Sequence, residues 1–155
     1  MAKRVMRREA SDNVYLHKDF HGALSVGIQY LEDNFGEEAV REYLRDFTNV
    51  YFAPLKEEIK QRGLPALKEY FAKLYEKEGG DAEITLSDDE LVIRVAACPA
   101  VTHMRQHGYA VANMFYETTK TVNEALVAGT DFAAELVEYD DETGRSVQRF
   151  YRRPL

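Results

Sequence analysis

The stretch Ile84-Thr85-Leu86-Ser87-Asp88-Asp89-Glu90-Leu91-Val92-Ile93-Arg94-Val95-Ala96, closed by Cys98-Pro99, is where the hydrophobic period of the chain changes. Ile84 and Leu86 alternate with polar neighbours, Ser87, Asp88 and Asp89 have the short polar side chains of a turn, and Leu91 to Ala96 is rich in β-branched residues. Period two on both sides of a turn predicts a β-hairpin. Proline fixes φ and suits the first turn of a helix, so Cys98-Pro99 predicts the handover from strand to helix.

Upstream the period is helical. Phe20, Leu24, Ile28 and Leu31 predict a first helix that stops at Asn34 and Gly36. A second begins near Glu37 with Val40, Tyr43, Leu44 and Phe47, and the stripe continues through Tyr51, Leu55 and Ile59 with a break at Pro54. Gly63 closes that segment, and Pro65 opens a helix carrying Leu67, Tyr70, Phe71 and Leu74 up to Gly79 and Gly80.

Downstream of Pro99, a short helix with Val101, Met104 and two histidines runs to Gly108. A longer one is expected with Val111, Met114, Phe115, Val122, Ala125 and Leu126 on one face, closed by Gly129. Its opposite row, Asn113, Glu117, Lys120 and Glu124, reads as a solvated face. A second hairpin, Phe132 to Tyr139 and Arg145 to Arg152, turns through Asp140 to Gly144. The order predicts an α+β fold: N-terminal helices, a β-hairpin, a helix pair and a C-terminal hairpin, with a four-stranded antiparallel sheet packed against helices. Residues 19–155 read as one domain and 1–18 as a flexible N-terminal segment.

The 155 residues are 45% hydrophobic and 30% charged, a balance that supports one globular core without disulfides or a structural metal. No apolar run reaches the roughly 20 residues of a membrane span. With 27 acidic and 20 basic side chains the net charge is -7, which disfavours nucleic acid as a partner. Basic clusters at Lys3, Arg4, Arg7 and Arg8, and at Arg149, Arg152 and Arg153, read as solvated tails. A single cysteine makes no internal disulfide, and with no signal-peptide pattern the expected compartment is the cytoplasm.

Cys98 is the chemical focus. At a helix N-terminus its thiol faces unpaired backbone amides, which favour the thiolate, and a histidine nearby can take the proton. His103 and His107, one turn apart on one side of the short helix, are the candidates. They are also spaced as a metal pair to which Cys98 could add a third ligand, whereas the alternative for the cysteine is inert burial. If the strand stays regular, Val92, Arg94, Ala96 and Cys98 share a face. Arg94 would then hold a substrate carboxylate, or form an internal ion pair. Tyr109, Tyr116 and Glu117 are further candidates to line the site. No phosphate loop, nucleophile elbow or paired cysteines are present, and no cofactor is expected.

In Cys98-Pro99, Gly108, the helix that follows, and Gly144-Arg145-Ser146-Val147-Gln148-Arg149-Phe150, the chain resembles the L-2-amino-thiazoline-4-carboxylic acid hydrolase family over residues 20–152. In that family a Cys-Pro follows a strand, and the last hairpin carries a glycine, a cysteine four residues later and a phenylalanine two beyond. Gly144 and Phe150 fit, Gln148 stands at the cysteine position, and the long helix lacks the second cysteine often found there. The resemblance implies hydrolytic opening of a small cyclic amidine or thiazoline acid, with Cys98 as the reactive position.

The leading expectation is therefore a cofactor-independent hydrolase of a carbon–nitrogen bond in a small carboxylate, with Cys98 as nucleophile, His103 or His107 relaying the proton and Arg94 holding the carboxylate. One alternative is a non-catalytic small-molecule-binding or sensory module with an apolar pocket, as in 4-vinyl reductase-type domains, which the element order resembles. Another is a metal-dependent hydrolase using Cys98, His103 and His107. Apolar residues on more than one side of a helix are compatible with a homodimer.

Overall fold

A computed structural model describes residues 18–155. The expected flexible segment, apart from Lys18, and the basic cluster Lys3 to Arg8 lie outside the described residues. Ten elements follow in the order α1 (Phe20–Phe35), α2 (Glu37–Tyr51), α3 (Ala53–Arg62), α4 (Leu64–Glu78), β1 (Ala82–Leu86), β2 (Glu90–Val95), α5 (Pro99–Gln106), α6 (Glu117–Val127), β3 (Phe132–Tyr139) and β4 (Ser146–Arg152). This is the α+β arrangement the periodicity predicts.

Single residues punctuate the first four helices. Gly36, Phe52 and Gly63 separate them, and Pro54 and Pro65 fall in the first turns of α3 and α4, where a missing N–H costs nothing. The backbone N–H groups of Gly79 and Gly80 donate to the carbonyls of Glu76 and Tyr75 and end α4.

The sheet is antiparallel throughout, in the order β1-β2-β4-β3. Residues Leu91, Ile93 and Val95 of β2 register with Phe150, Gln148 and Ser146 of β4, and all six are buried. That face is covered by α4, which packs on β1 and β2, and by α6, which packs on β3. The opposite face carries Glu83, Arg94 and Glu135, all exposed. Arg149 pairs there with Glu90 and Glu135, and Arg152 with Asp89. Arg149 and Arg152 are thus strand residues in ion pairs, and Arg153, just past β4, donates from Nε to the Phe132 carbonyl at 3.1 Å, so the C-terminal cluster is not a solvated tail.

The expected long helix is shorter than its apolar spacing predicts. Residues 109–112 are irregular, 113–116 form a turn, and α6 starts at Glu117. The loop is buried at Ala112, Met114 and Phe115. Side chains of α1 satisfy its backbone: the Ser25 hydroxyl donates to the Ala110 carbonyl at 2.9 Å and accepts from the Ala112 N–H at 2.8 Å. The Gln29 carbonyl oxygen accepts from the Asn113 N–H at 3.0 Å.

Two apolar clusters make up the core. One joins α3, α4, the sheet and the end of α6 around Leu67, Phe71, Ile93, Leu126 and Phe150. The other joins α1, α2, α5 and the 112–115 loop around Ile28, Leu44, Met104 and Phe115. Lying between them is a cavity of about 240 Å³ whose walls include Phe71 and Leu126 of the first cluster and Leu44, Ala100 and Phe115 of the second.

Candidate functional site

Two helices wall the cavity with the same spacing. Helix α4 presents Tyr70, Phe71, Leu74, Tyr75 and Glu78, and α6 presents Thr118, Thr119, Val122, Asn123 and Leu126. Residues i, i+1, i+4, i+5 and i+8 share one helical face, so each lining strip is about 12 Å long at 1.5 Å per residue. Phe20, His21 and Leu24 of α1, and Tyr43, Leu44 and Phe47 of α2, complete the walls, with Phe52 between α2 and α3.

Aromatic rings form a belt along one side. Phe47 and Phe52 meet edge to face at 5.8 Å, Phe52 and Tyr70 at 5.6 Å, and Tyr70 and Phe71 at 5.1 Å, while Phe71 stacks on Tyr75 at 6.4 Å. These distances lie in the range in which ring quadrupoles favour offset and edge-to-face contact.

Cys98 reaches this cavity from the N-cap of α5. The C-terminal hairpin holds its backbone, because the Cys98 N–H donates to the Thr143 carbonyl at 2.9 Å. Asp140 shapes that turn: its carboxylate accepts from the N–H groups of Glu142 and Thr143, which hold it below the usual carboxylate range. Gly144 follows with φ +67, and a Cβ there would lie 2.3 Å from Cys98 Cβ. Only glycine fits between the turn and the cysteine.

Burial raises the Cys98 thiol above its ordinary range, despite the opposing pull of the Val101 and Ala100 amides and with Glu78 adding a smaller push upward. The amides expected to activate the thiol are in place, but desolvation of the thiolate outweighs them.

Beside the cysteine, His21 and Glu78 line the cavity with Nε2 and Oε1 3.5 Å apart, an ion pair only when the imidazole carries both protons. A buried amide network joins three elements at another side. Asn123 Nδ2 donates to Gln148 Oε1 at 2.9 Å, and Gln148 Nε2 donates to Tyr75 Oη and Ser146 Oγ, each at 3.2 Å. Burial pushes the Tyr75 hydroxyl up to about 12.

Of the residues predicted for the site, the structure brings only Cys98 to the cavity. Arg94 is exposed on the far face of the sheet, opposite Glu83 of β1. The parity argument fails because β2 ends at Val95 and the bend at Ala96 and Ala97 redirects the chain before Cys98.

His103 and His107 sit outside, on the seam between α1 and α5. His103 Nε2 lies 3.1 Å from Asp19 Oδ1, His107 Nδ1 lies 2.8 Å from the His103 carbonyl, and the two rings are 4.2 Å apart. Tyr109 joins them, with its hydroxyl 3.4 Å from Asp19. Among the described residues, no group of three or more His, Cys, Asp or Glu side chains is arranged to hold a metal ion.

Glu117 is neither solvated nor in the cavity. It is buried at the start of α6, where Oε1 accepts from Arg41 Nε at 3.0 Å and Oε2 accepts from the Thr121 hydroxyl at 2.5 Å. The Tyr116 ring, adjacent in the chain, packs on Tyr139. Arg41 and Glu117 latch α2 to α6.

Sequence reasoning missed His21, Glu78, Asn123 and the aromatic belt as a lining. One signal was legible: the pattern Tyr70, Phe71, Leu74, Tyr75 places Glu78 next on the same helical face, an acid on an apolar strip. No family model matches the chain, and no curated protein matches it.

Proposed function

We propose that this protein is a small-molecule-binding module whose ligand occupies the cavity between the two halves of the core. The observation that carries this reading is the cavity itself, about 240 Å³ in volume and lined by eight phenylalanine and tyrosine rings. An apolar cavity of about 150 Å³ accepts benzene, so this one has room for a single ring with a short arm. Its lining is mostly apolar and partly open to solvent, so an apolar guest that fills it takes that surface out of water.

The test is thermal denaturation and calorimetric titration with neutral single-ring compounds such as propylbenzene. Binding should raise Tm, and Val122→Phe, which places a ring in the lined space, should abolish binding while preserving the circular dichroism spectrum. If no such compound binds, or the Val122→Phe protein binds undiminished, the reading fails.

The carbon–nitrogen hydrolase is carried as a second reading because Cys98 lines the cavity together with His21. In this version the Cys98 thiol gives its proton to His21, in place of the two outer histidines, and attacks the amidine carbon; His21 returns the proton to the departing ring nitrogen as the C–N bond breaks, and water then hydrolyses the covalent intermediate and frees Cys98. Among the described residues no lysine or arginine lines the cavity, so none of them supplies a substrate carboxylate with the cationic partner expected of Arg94. Hydrolysis of a cyclic amidine that stops in Cys98→Ala, with binding retained, would favour this reading; turnover unchanged in Cys98→Ala would end it.

A further inference from the structure

We infer, resting on the binding-module reading, that the ligand is an organic cation: an ammonium group held at Glu78, on a single-ring apolar body packed against the aromatic belt. The charge balance of the lining points this way. Among the described residues Glu78 is the one carboxylate that lines the cavity, and no lysine or arginine does; Lys18 lines the neighbouring cleft that Glu78 also borders. The Glu78 side chain is 12% exposed, and His21 at 3.5 Å neutralises it only when protonated.

Glu78 also stands where a helix disfavours an acid. It is the last residue of α4, at the negative end of the helix dipole and beside the terminal carbonyls. A residue that breaks a local rule inside a cavity is where function is expected to outweigh stability. Tyr70, Tyr75 and Cys98 all lose their protons later than usual, first because they are buried and in part because each would add charge beside Glu78.

The faces of aromatic rings carry negative potential and attract a cation, most strongly where water is excluded. Phe71 and Tyr75 lie on the same face of α4 as Glu78, at i-7 and i-3. Carboxylate and rings therefore act on one guest, the first binding its ammonium by charge-assisted hydrogen bonds and the second its body. A carboxylate guest would meet repulsion at the same place.

The experiment compares three probes of similar shape by calorimetry at neutral pH: phenethylamine as the cation, propylbenzene as the neutral body and phenylacetate as the anion. Phenethylamine should bind about tenfold tighter than propylbenzene, and phenylacetate weakest. Glu78→Gln should weaken phenethylamine by about tenfold and leave propylbenzene within about twofold. The cation assignment is overturned if propylbenzene binds as tightly as phenethylamine in the parent protein, if the anion binds tightest, or if Glu78→Gln keeps the cation preference. In those cases binding of the neutral probe leaves the cavity reading standing. If none of the three binds, the cavity reading fails, and the cation assignment with it. The rank order in the parent protein decides the matter even if the variant does not fold.

Discussion

Replacing Gly144 by alanine tests how tightly the C-terminal hairpin is fitted to Cys98. Two penalties combine. The residue sits at φ +67, where a side chain costs about 1–2 kcal/mol. The new Cβ would also meet Cys98 Cβ at 2.3 Å and Val101 Cγ2 at 3.0 Å, and relieving such overpacking costs about 1–3 kcal/mol. The sum, about 2–5 kcal/mol, corresponds to a fall in Tm of about 4–20 °C for a chain of this length. Urea and thermal denaturation followed by circular dichroism would measure it.

The close contact is with the cysteine's Cβ rather than its sulfur, which makes the double variants informative. Cys98→Gly removes the nearest obstructing atom, and glycine is tolerated at a helix N-cap, so Cys98→Gly with Gly144→Ala should recover most of the steric share and leave the φ penalty and the contact with Val101. Cys98→Ala keeps the Cβ and should recover almost nothing. A Gly144→Ala protein within about 0.5 kcal/mol of the parent would refute the reasoning, as would equal rescue by Cys98→Ala.

Arg41→Met strands the Glu117 carboxylate, which is 1% exposed, and should cost about 3 kcal/mol in urea denaturation; a loss below about 1 kcal/mol would mean that the latch between α2 and α6 contributes little. Alkali should unfold the protein through its buried phenols. The hydroxyls of Tyr70, Tyr75 and Tyr139 are all raised chiefly by burial, Tyr75 to about 12, so the unfolded chain gives up these protons first. The stability they contribute is fully present below pH about 10 and is lost as pH rises through about 12. A late step of tyrosinate absorbance should therefore coincide with loss of circular dichroism; completion of that absorbance while the circular dichroism persists would contradict the burial.

The elements were legible because their ends are written in glycine and proline. Gly36, Gly63 and Gly79 stop helices, Pro54 and Pro65 start them, and the two polar runs Ser87 to Asp89 and Asp140 to Gly144 turn the hairpins. What escaped the sequence depends on contacts across the fold. Val111, Met114 and Phe115 have helical spacing, yet they form a buried loop because Ser25 and Gln29 supply its hydrogen bonds from α1. No periodicity in residues 109–116 shows partners more than 80 residues away. The parity that placed Arg94 with Cys98 holds only within a strand, and two bent residues end it. Cys98 was legible as a strand-to-helix junction, but its neighbours in the cavity come from α1, α4, α6 and β4. Chain proximity suggested His103 and His107; the tertiary fold supplies His21.

The strand order β1-β2-β4-β3 puts the two most buried strands in the middle and leaves β1 and β3 as edges. An unpaired edge invites another chain to add a strand, the usual start of aggregation. Here β1 is five residues long and carries exposed Glu83, while β3 carries exposed Glu135 and Glu138 and is interrupted by a bulge between Leu136 and Glu138. Shortness, like charges and a bulge each spoil the template that an incoming strand would need. Growth of the sheet from chain to chain is blocked at both sides. Self-association of this protein would therefore have to use a helical surface or the charged outer face of the sheet.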